Sequence, residues 1–209
     1  WNPVGEYDFA GSATIKIRSP GGGSTCADGV KLARVFAPSS PMTLVVDIKG
    51  GEGFTDIQSA IDAARNGDTV LVKPGEYVIS EPIDFNRDRS LLGRGAHDAK
   101  DPSSPAVKDL VVRSEGGPDV TTIRMAETPA DPTRASVSIF ESRETAASVL
   151  EGFRLTGGKG TGLPEEEARG GGILCIDSSP TIRGCIIEGN FPAAHHLGAS
   201  SGGGVCAEA

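Results

Sequence analysis

Two ten-residue stretches decide the fold: Ser148–Gly157 (SVLEGFRLTG) and Pro180–Gly189 (PTIRGCIIEG), which align without a gap at an offset of 32 residues. Apolar residues fall on apolar residues at three of these positions, and glycine falls on glycine at two. A fixed period of short apolar strands and glycine corners is typical of a solenoid, in which each pass of the chain lays one strand about 4.8 Å from the last. We therefore expect Leu155 to lie beside Ile187.

Other segments fit the same scheme on both sides of these stretches. The glycine triplet at 170–172 recurs at 202–204, again 32 residues on. Short apolar segments upstream predict further strands at 83–85, 110–113, 122–125 and 137–140. Four insertions interrupt the pattern, at 94–107, 126–135, 158–169 and 191–201. Long loops on a solenoid often build its binding site, so these insertions are the first functional lead.

A short amphipathic helix is predicted between the first strands. Thr55 and Gln58 form a capping-box pattern, and apolar residues follow at helical spacing, with Asn66–Gly67 as the expected end of the helix. The flanking strands are predicted at 44–48, 68–72 and 76–79. Because the first strands of a solenoid would otherwise expose unpaired backbone groups, we expect this helix to cover that end.

These features together resemble a known fold family. Strand, short helix, Gly67–Asp68, apolar strand and the Pro74–Gly75 turn form the pattern that opens many right-handed parallel β-helices, and Cys175–Asn190 resembles a coil of bacterial secreted β-helix repeats. The chain is thus similar to the pectate-lyase-like superfamily. The resemblance implies an all-β fold, a right-handed parallel β-helix over residues 44–209 with a short N-terminal capping helix, and further coils beyond residue 209.

The first 36 residues carry a second resemblance. Trp1–Phe9, an alternating strand at 13–17 and Ala27–Leu32 look like the last strands of a golvesin-type β-sandwich, the kind of module found in xanthan-lyase carbohydrate-binding regions. The expected organisation is an incomplete sandwich of antiparallel strands at 1–36, a linker at 37–43 and the β-helix from 44. Whether residues 1–36 are a separate domain or cap the solenoid stays open, and we prefer a separate domain. The chain is read as part of a longer multidomain protein, with more domains upstream and downstream.

Composition excludes several classes of protein. With 20 basic against 28 acidic residues the formal net charge is −8, which disfavours nucleic acid as a partner. Hydrophobic residues make up 37% of the chain, which fits a globular protein, and no apolar stretch is long enough for a membrane span.

The cysteines, histidines and acidic runs suggest no cofactor. Cys185 is expected to be a small buried hydrophobe, and Cys175 and Cys206 to be near-equivalent on neighbouring coils, where an unbonded stack is favoured over a disulfide. Glu165–Glu167 could bind Ca²⁺, but neighbouring carboxylates do not converge by themselves, so no metal site is predicted. His195–His196 is interpreted as a solvated pair, with a base or metal ligand as the alternative.

The outward positions of the repeat strands are the candidate binding residues. Alternation along a strand places Arg154 and Thr156 outside, with Glu188 above them, and Arg183 near Glu151 at the preceding corner. A parallel face with carboxylates and guanidinium groups is where β-helix enzymes bind polysaccharide, so Arg154, Thr156, Arg183 and Glu188 are predicted to bind substrate. Because Glu188 has no second outward carboxylate on the adjacent coil, an ordinary ion-paired surface is the competing interpretation.

Two functions remain open. Motifs of polygalacturonases, pectin esterases and pectate lyases are missing, and no catalytic residue can be assigned. We therefore expect an extracellular or cell-surface β-helix module that binds a polysaccharide or cell-surface glycan. The alternative is a polysaccharide lyase or glycoside hydrolase that acts on an acidic polysaccharide through the same strand face and its long loops.

Overall fold

A computed structural model describes residues 40–51, 53–87, 107–162, 168–192 and 203–208. The chain divides into two compact units, Trp1–Ser40 and Pro41–Ala209. The first unit lies almost entirely outside the described residues, and so do the predicted golvesin-like strands. The insertion at 94–106, Glu165–Glu167 and His195–His196 lie outside them as well.

The described part of the second unit is mostly β, with one short helix and three parallel sheets. The helix α1 is Ile57–Ala63. The first sheet contains β1 (Thr43–Val46), β2 (Thr69–Val72), β5 (Val111–Ser114), β9 (Val149–Glu151) and β13 (Thr181–Arg183). The second sheet contains β3 (Gly75–Ile79), β6 (Thr121–Met125), β10 (Arg154–Thr156) and β14 (Ile186–Ile187). The third sheet contains β4 (Ile83–Asp84), β8 (Ser138–Phe140), β12 (Ile173–Ile176) and β15 (Val205–Glu208). A separate antiparallel pair joins β7 (Arg134–Ala135) to β11 (Gly160–Thr161).

The chain visits the three sheets in the same order four times. It runs from β2 to β3 and β4, and then repeats that path through β5, β6 and β8, through β9, β10 and β12, and through β13, β14 and β15. Each strand pairs in parallel with its counterpart from the preceding pass. Leu155 pairs with Ile187, so the register predicted from the 32-residue repeat is confirmed.

Alternation along the strands builds the apolar core. Leu155 on β10 has no exposed surface, whereas its neighbours Arg154 and Thr156 are partly exposed. The rings of Phe85 and Phe140 lie 4.8 Å apart between their centroids and are fully buried. The apolar side chains of the last strands, such as Ile182 and Ile187, are only partly buried.

The helix lies where the sequence predicts it, but the predicted capping box is wrong. Asp56, not Thr55, is the N-cap, and its side chain accepts a hydrogen bond from the Ser59 N–H at 2.8 Å. Gln58 instead bonds both backbone groups of Asp84, at 2.8 and 3.0 Å. Since β4 is the first strand of the third sheet, this amide satisfies a strand edge that would otherwise lack a partner.

The end of the helix also differs from the prediction. The helix ends at Ala63, and Ala64 is already in an extended conformation. Gly67 does have a positive φ of 85°, but it lies in the following turn, where its N–H donates to the Asp109 carbonyl at 2.8 Å. The helix packs against β1, β2 and β4, as expected for an element that covers the first strands of the sheets.

Two other predictions need correction. The 32-residue register places Cys175 beside Ala207 and Cys206 beside Leu174, so the two cysteines are one position out of register. Cys175, Cys185 and Cys206 are all free thiols. The insertions at 126–135 and 158–169 are not merely loops, because each contributes one strand to the β7–β11 pair.

Candidate functional site

The second sheet exposes one continuous outer surface, which we call the second-sheet face. It comprises the outward residues of β3, β6 and β10, with Ile186 on β14 and Glu188 directly after it. Register places Glu76, Thr122, Arg154 and Ile186 in one row across the four strands. The Cα atoms of these four residues are therefore spaced at the distance between neighbouring strands, about 4.8 Å.

Ion pairs cross this face between neighbouring strands. Arg154 contacts the Glu188 carboxylate through Nη1 and lies 3.6 Å from the Asp119 carboxylate through Nη2. Arg124 Nε lies 2.6 Å from Glu76 Oε1. Such partly exposed pairs contribute about 0–1 kcal/mol each to stability, so they cost little to rearrange around a ligand.

The four predicted binding residues do not form one cluster. Arg154, Thr156 and Glu188 share the second-sheet face, as the alternation predicts. Arg183 lies on β13 in the first sheet, where its Nη2 is 2.9 Å from Glu151 Oε2. The predicted stacking of Arg183 with Glu151 is confirmed, and it belongs to a different sheet from the other three residues.

A groove adjoins the carboxyl ends of β6, β10 and β14. Its volume is about 350 Å³, and three of its lining residues are the glycines Gly157, Gly158 and Gly189. Its other lining residues include Arg124, Glu127, Lys159 and Phe191. We call it the Phe191 groove.

Hydrogen bonds hold the backbone of this groove in place. The Asn190 side chain is buried and bridges two passes of the chain: its Oδ1 accepts from the Gly158 N–H at 2.8 Å, and its Nδ2 donates to the Leu155 carbonyl at 3.0 Å. The Phe191 N–H donates to the Gly158 carbonyl at 2.9 Å. Phe191 as a residue is nevertheless 79% exposed.

A buried ionic cluster lies elsewhere, at the third sheet. Arg134 Nη2 is 2.9 Å from Asp84 Oδ2 and 2.7 Å from Glu141 Oε1, and both carboxylates are inaccessible to solvent or nearly so. Burial is the main cause that raises the pKa of Asp84 to about 6, against the lowering effects of the Asn86 N–H and of Arg134. The Glu141 and Glu144 carboxylates raise it further.

A carboxyl group with a pKa raised to about 6 has the acidity of a general acid, which makes this cluster a candidate catalytic site. The adjoining cavity is lined by Glu81, Asp84, Arg134 and neighbouring residues and has a volume of about 20 Å³. That is room for one water molecule and not for a sugar ring. The cluster is therefore assigned a structural role.

The described thiols are poor nucleophiles. Burial raises the pKa of Cys175 to about 11, and it also raises the pKa of Cys185 and of Cys206. Since the thiolate is the reactive form, none of the three is activated for catalysis at neutral pH.

The described residues contain no group of three or more His, Cys, Asp or Glu side chains that could hold a metal ion. They also contain no helix with the length and apolar character needed to cross a membrane.

Sequence reasoning missed four residues of this region: Glu76, Arg124, Lys159 and Phe191. Arg124 pairs with Thr156 at the same 32-residue offset, so extending the repeat one pass upstream would have found it. Glu76 is 46 residues from its partner Thr122, and the inserted segment between them hides the repeat. Phe191 follows the last repeat position and carries no periodic signal.

Comparison with known proteins adds no assignment. No family model matches the chain. No curated protein and no solved structure matches it either.

Proposed function

We propose that residues 44–209 form a right-handed parallel β-helix in an extracellular or cell-surface protein, and that the second-sheet face binds a polysaccharide or cell-surface glycan. The sandwich at 1–36 and further domains upstream and downstream belong to the same proposal. Within the β-helix the proposed binding residues are Arg154, Thr156 and Glu188, with Arg124 added. Arg183 is left out because it lies on the first sheet.

The observation that carries the proposal is a regular row across four parallel strands, polar at Glu76, Thr122 and Arg154 and apolar at Ile186, with a groove at the carboxyl ends of three of these strands. Equivalent positions recur at about 4.8 Å from strand to strand. A polymer of repeating units can therefore make similar contacts on successive strands, which is how solenoids use their extended surfaces. Hydroxyl groups of a sugar can exchange hydrogen bonds with the guanidinium and carboxylate groups of Arg154 and Glu188, because these groups sit in partly exposed pairs.

The test is retention on insoluble polysaccharides with two matched variants. Arg154→Gln and Arg183→Gln each remove an arginine that is paired with a glutamate on a neighbouring pass of the chain. We expect the first variant to lose retention several-fold and the second to be retained like the unmodified protein. Equal loss in both variants, or no retention of the unmodified protein on any glycan, would contradict the proposal.

The enzymatic alternative is a polysaccharide lyase or glycoside hydrolase that acts on an acidic polysaccharide. It requires an acid and a base, or two carboxylates, beside the bound sugar. On the second-sheet face, Glu76 and Glu188 are separated by β6 and β10 and are each engaged by an arginine. Release of unsaturated or reducing ends from pectate, alginate or chondroitin by the full-length protein would favour the enzyme over the binding module.

A further inference from the structure

We infer that the Phe191 groove is a subsite for an uncharged hexopyranose unit, whose apolar face stacks on the Phe191 ring. This inference rests on the proposed function and adds the class of glycan and the residue that anchors it. It differs from the enzymatic alternative, in which the ligand is acidic.

Phe191 presents an exposed aromatic side chain at the groove. Phe191 is the most exposed of the large hydrophobic residues among those described, and the next, Met42, is 59% exposed. Its backbone is fixed by the N–H bond to Gly158 and by the neighbouring buried Asn190. Because these bonds hold the backbone at Phe191 in place, the backbone entropy lost when the aromatic ring stacks on a flat apolar ligand surface is reduced.

Three glycines line the groove beside Phe191. A Cβ atom at Gly158 would lie 1.8 Å from the Gly171 carbonyl oxygen, and one at Gly157 would lie 2.9 Å from the Met125 carbonyl oxygen. A Cβ at Gly189 would lie 2.8 Å from Thr156 Oγ1. Side chains at Gly157 and Gly158 would meet backbone atoms, and the φ of 62° at Gly189 also favours glycine, so three positions that line the groove carry no side chain. The resulting volume of about 350 Å³ falls at the small end of the range for small-molecule sites.

The charges around the groove favour an uncharged ligand over an anionic one. Around the face and the groove, the described residues place four carboxylates against three cations: Glu76, Asp119, Glu127 and Glu188 against Arg124, Arg154 and Lys159. Arg124 and Arg154 are paired with glutamates, and the Lys159 ammonium group donates to the Glu127 backbone carbonyl. Carboxylates therefore outnumber cations by one among these described residues, and the whole chain carries a formal net charge of −8, which does not favour an anionic polymer. A neutral sugar meets donors and acceptors here without electrostatic repulsion.

The experiment titrates the full-length protein with cellohexaose, mannohexaose, maltohexaose and hexagalacturonate by calorimetry, at low and at high salt. We expect at least one neutral oligosaccharide to bind with little dependence on salt, and hexagalacturonate to bind more weakly. Phe191→Ala should weaken the binding of the neutral ligand by about tenfold or more, and Phe191→Trp should retain it. Met42→Ala, which removes an exposed apolar side chain far from the groove in sequence, is the matched control and should leave the affinity unchanged.

The possible failures are distinguishable. Binding of a neutral oligosaccharide that Phe191→Ala leaves unchanged would overturn the inference and leave the proposed function standing. Salt-dependent binding of hexagalacturonate that is tighter than the binding of any neutral oligosaccharide would likewise overturn the inference and leave the proposed function standing. Absence of binding to all four oligosaccharides and to insoluble glycans would overturn the proposed function and the inference together. Because the Phe191 side chain is exposed, an unchanged thermal midpoint should confirm that the alanine variant is folded.

Discussion

The buried ionic cluster at Asp84 predicts how stability depends on pH. Asp84 is 3% exposed, and its pKa is raised from 3.8 to about 6 in the folded protein. The folded state therefore binds this proton more tightly than the unfolded state does. The stabilisation is fully present below about pH 4 and is lost as the pH rises through about 6. A difference of about 2 pKa units corresponds to about 3 kcal/mol of unfolding free energy.

The assay is urea denaturation of the unmodified protein and of Asp84→Asn, at intervals from about pH 4 to about pH 7.5. We expect the unfolding free energy of the unmodified protein to fall across this window and that of Asp84→Asn to stay nearly flat. The variants are compared by the slope of unfolding free energy against pH and not by its absolute value. The asparagine amide also disturbs the hydrogen bonds that Arg134 and Asn86 donate to Asp84, which changes the absolute value at every pH. Asp119→Asn, which alters an 87% exposed carboxylate, is the control and should follow the unmodified protein.

The other charged groups around the cluster do not remove this expectation. Glu141 and Glu144 face Asp84 and raise its pKa, while Arg134 lowers it. Backbone hydrogen bonds from Met42 and Arg65 lower the pKa of Asp68, so its contribution is lost only as the pH falls below the window. Parallel pH profiles for the unmodified protein and Asp84→Asn would refute the reasoning.

Three further predictions concern the core and the groove. Gly158→Ala should lower the unfolding free energy, measured by urea denaturation, by about 3 kcal/mol or more, since the new Cβ would lie 1.8 Å from a carbonyl oxygen. Gly117→Ala is the comparison: Gly117 has a φ of 84°, but a Cβ there would meet no atom within 4 Å, so the loss should be about 1 kcal/mol. Leu155→Ala should lower the unfolding free energy by about 2–5 kcal/mol in the same measurement, because Leu155 is fully buried. Ile187→Ala should lower it distinctly less, because Ile187 is only partly buried. Equal losses would contradict the weaker burial of the last strands. Cys175 is buried and has a pKa of about 11, so it should react with a thiol reagent at neutral pH far more slowly in the folded protein than in urea. Mass spectrometry of the labelled peptide measures both rates, and equal rates would contradict the prediction.

Sequence periodicity predicted the strand register well, because a solenoid repeats both its spacing and its inward positions. Leu155 beside Ile187 and Arg183 beside Glu151 follow directly from the 32-residue offset. The same offset, applied strictly, gives Cys175 beside Ala207, so Cys175 and Cys206 are one position away from the predicted stack, and both are free thiols, as the favoured unbonded alternative predicts.

Features that depend on contacts between non-repeating segments were not predictable in the same way. The helix was expected, but the use of Gln58 at the β4 edge depends on a strand that lies 26 residues further along the chain. The cap at Asp56 is a local hydrogen bond from Ser59, so that signal was present in the sequence. The β7–β11 pair joins two insertions that share no pattern. The Asp84–Arg134–Glu141 cluster likewise unites residues whose separation follows no repeat.

The most direct test of the proposed binding surface is to map the backbone amide shifts of the protein by NMR while a neutral oligosaccharide is titrated in. The binding surface proposed above predicts shifts that concentrate at Gly157, Gly158 and Gly189–Phe191 and extend along β6 and β10, while β9 and β13 of the first sheet stay unchanged. Shifts centred on Glu151 and Arg183, or spread evenly over the sheets, would contradict it.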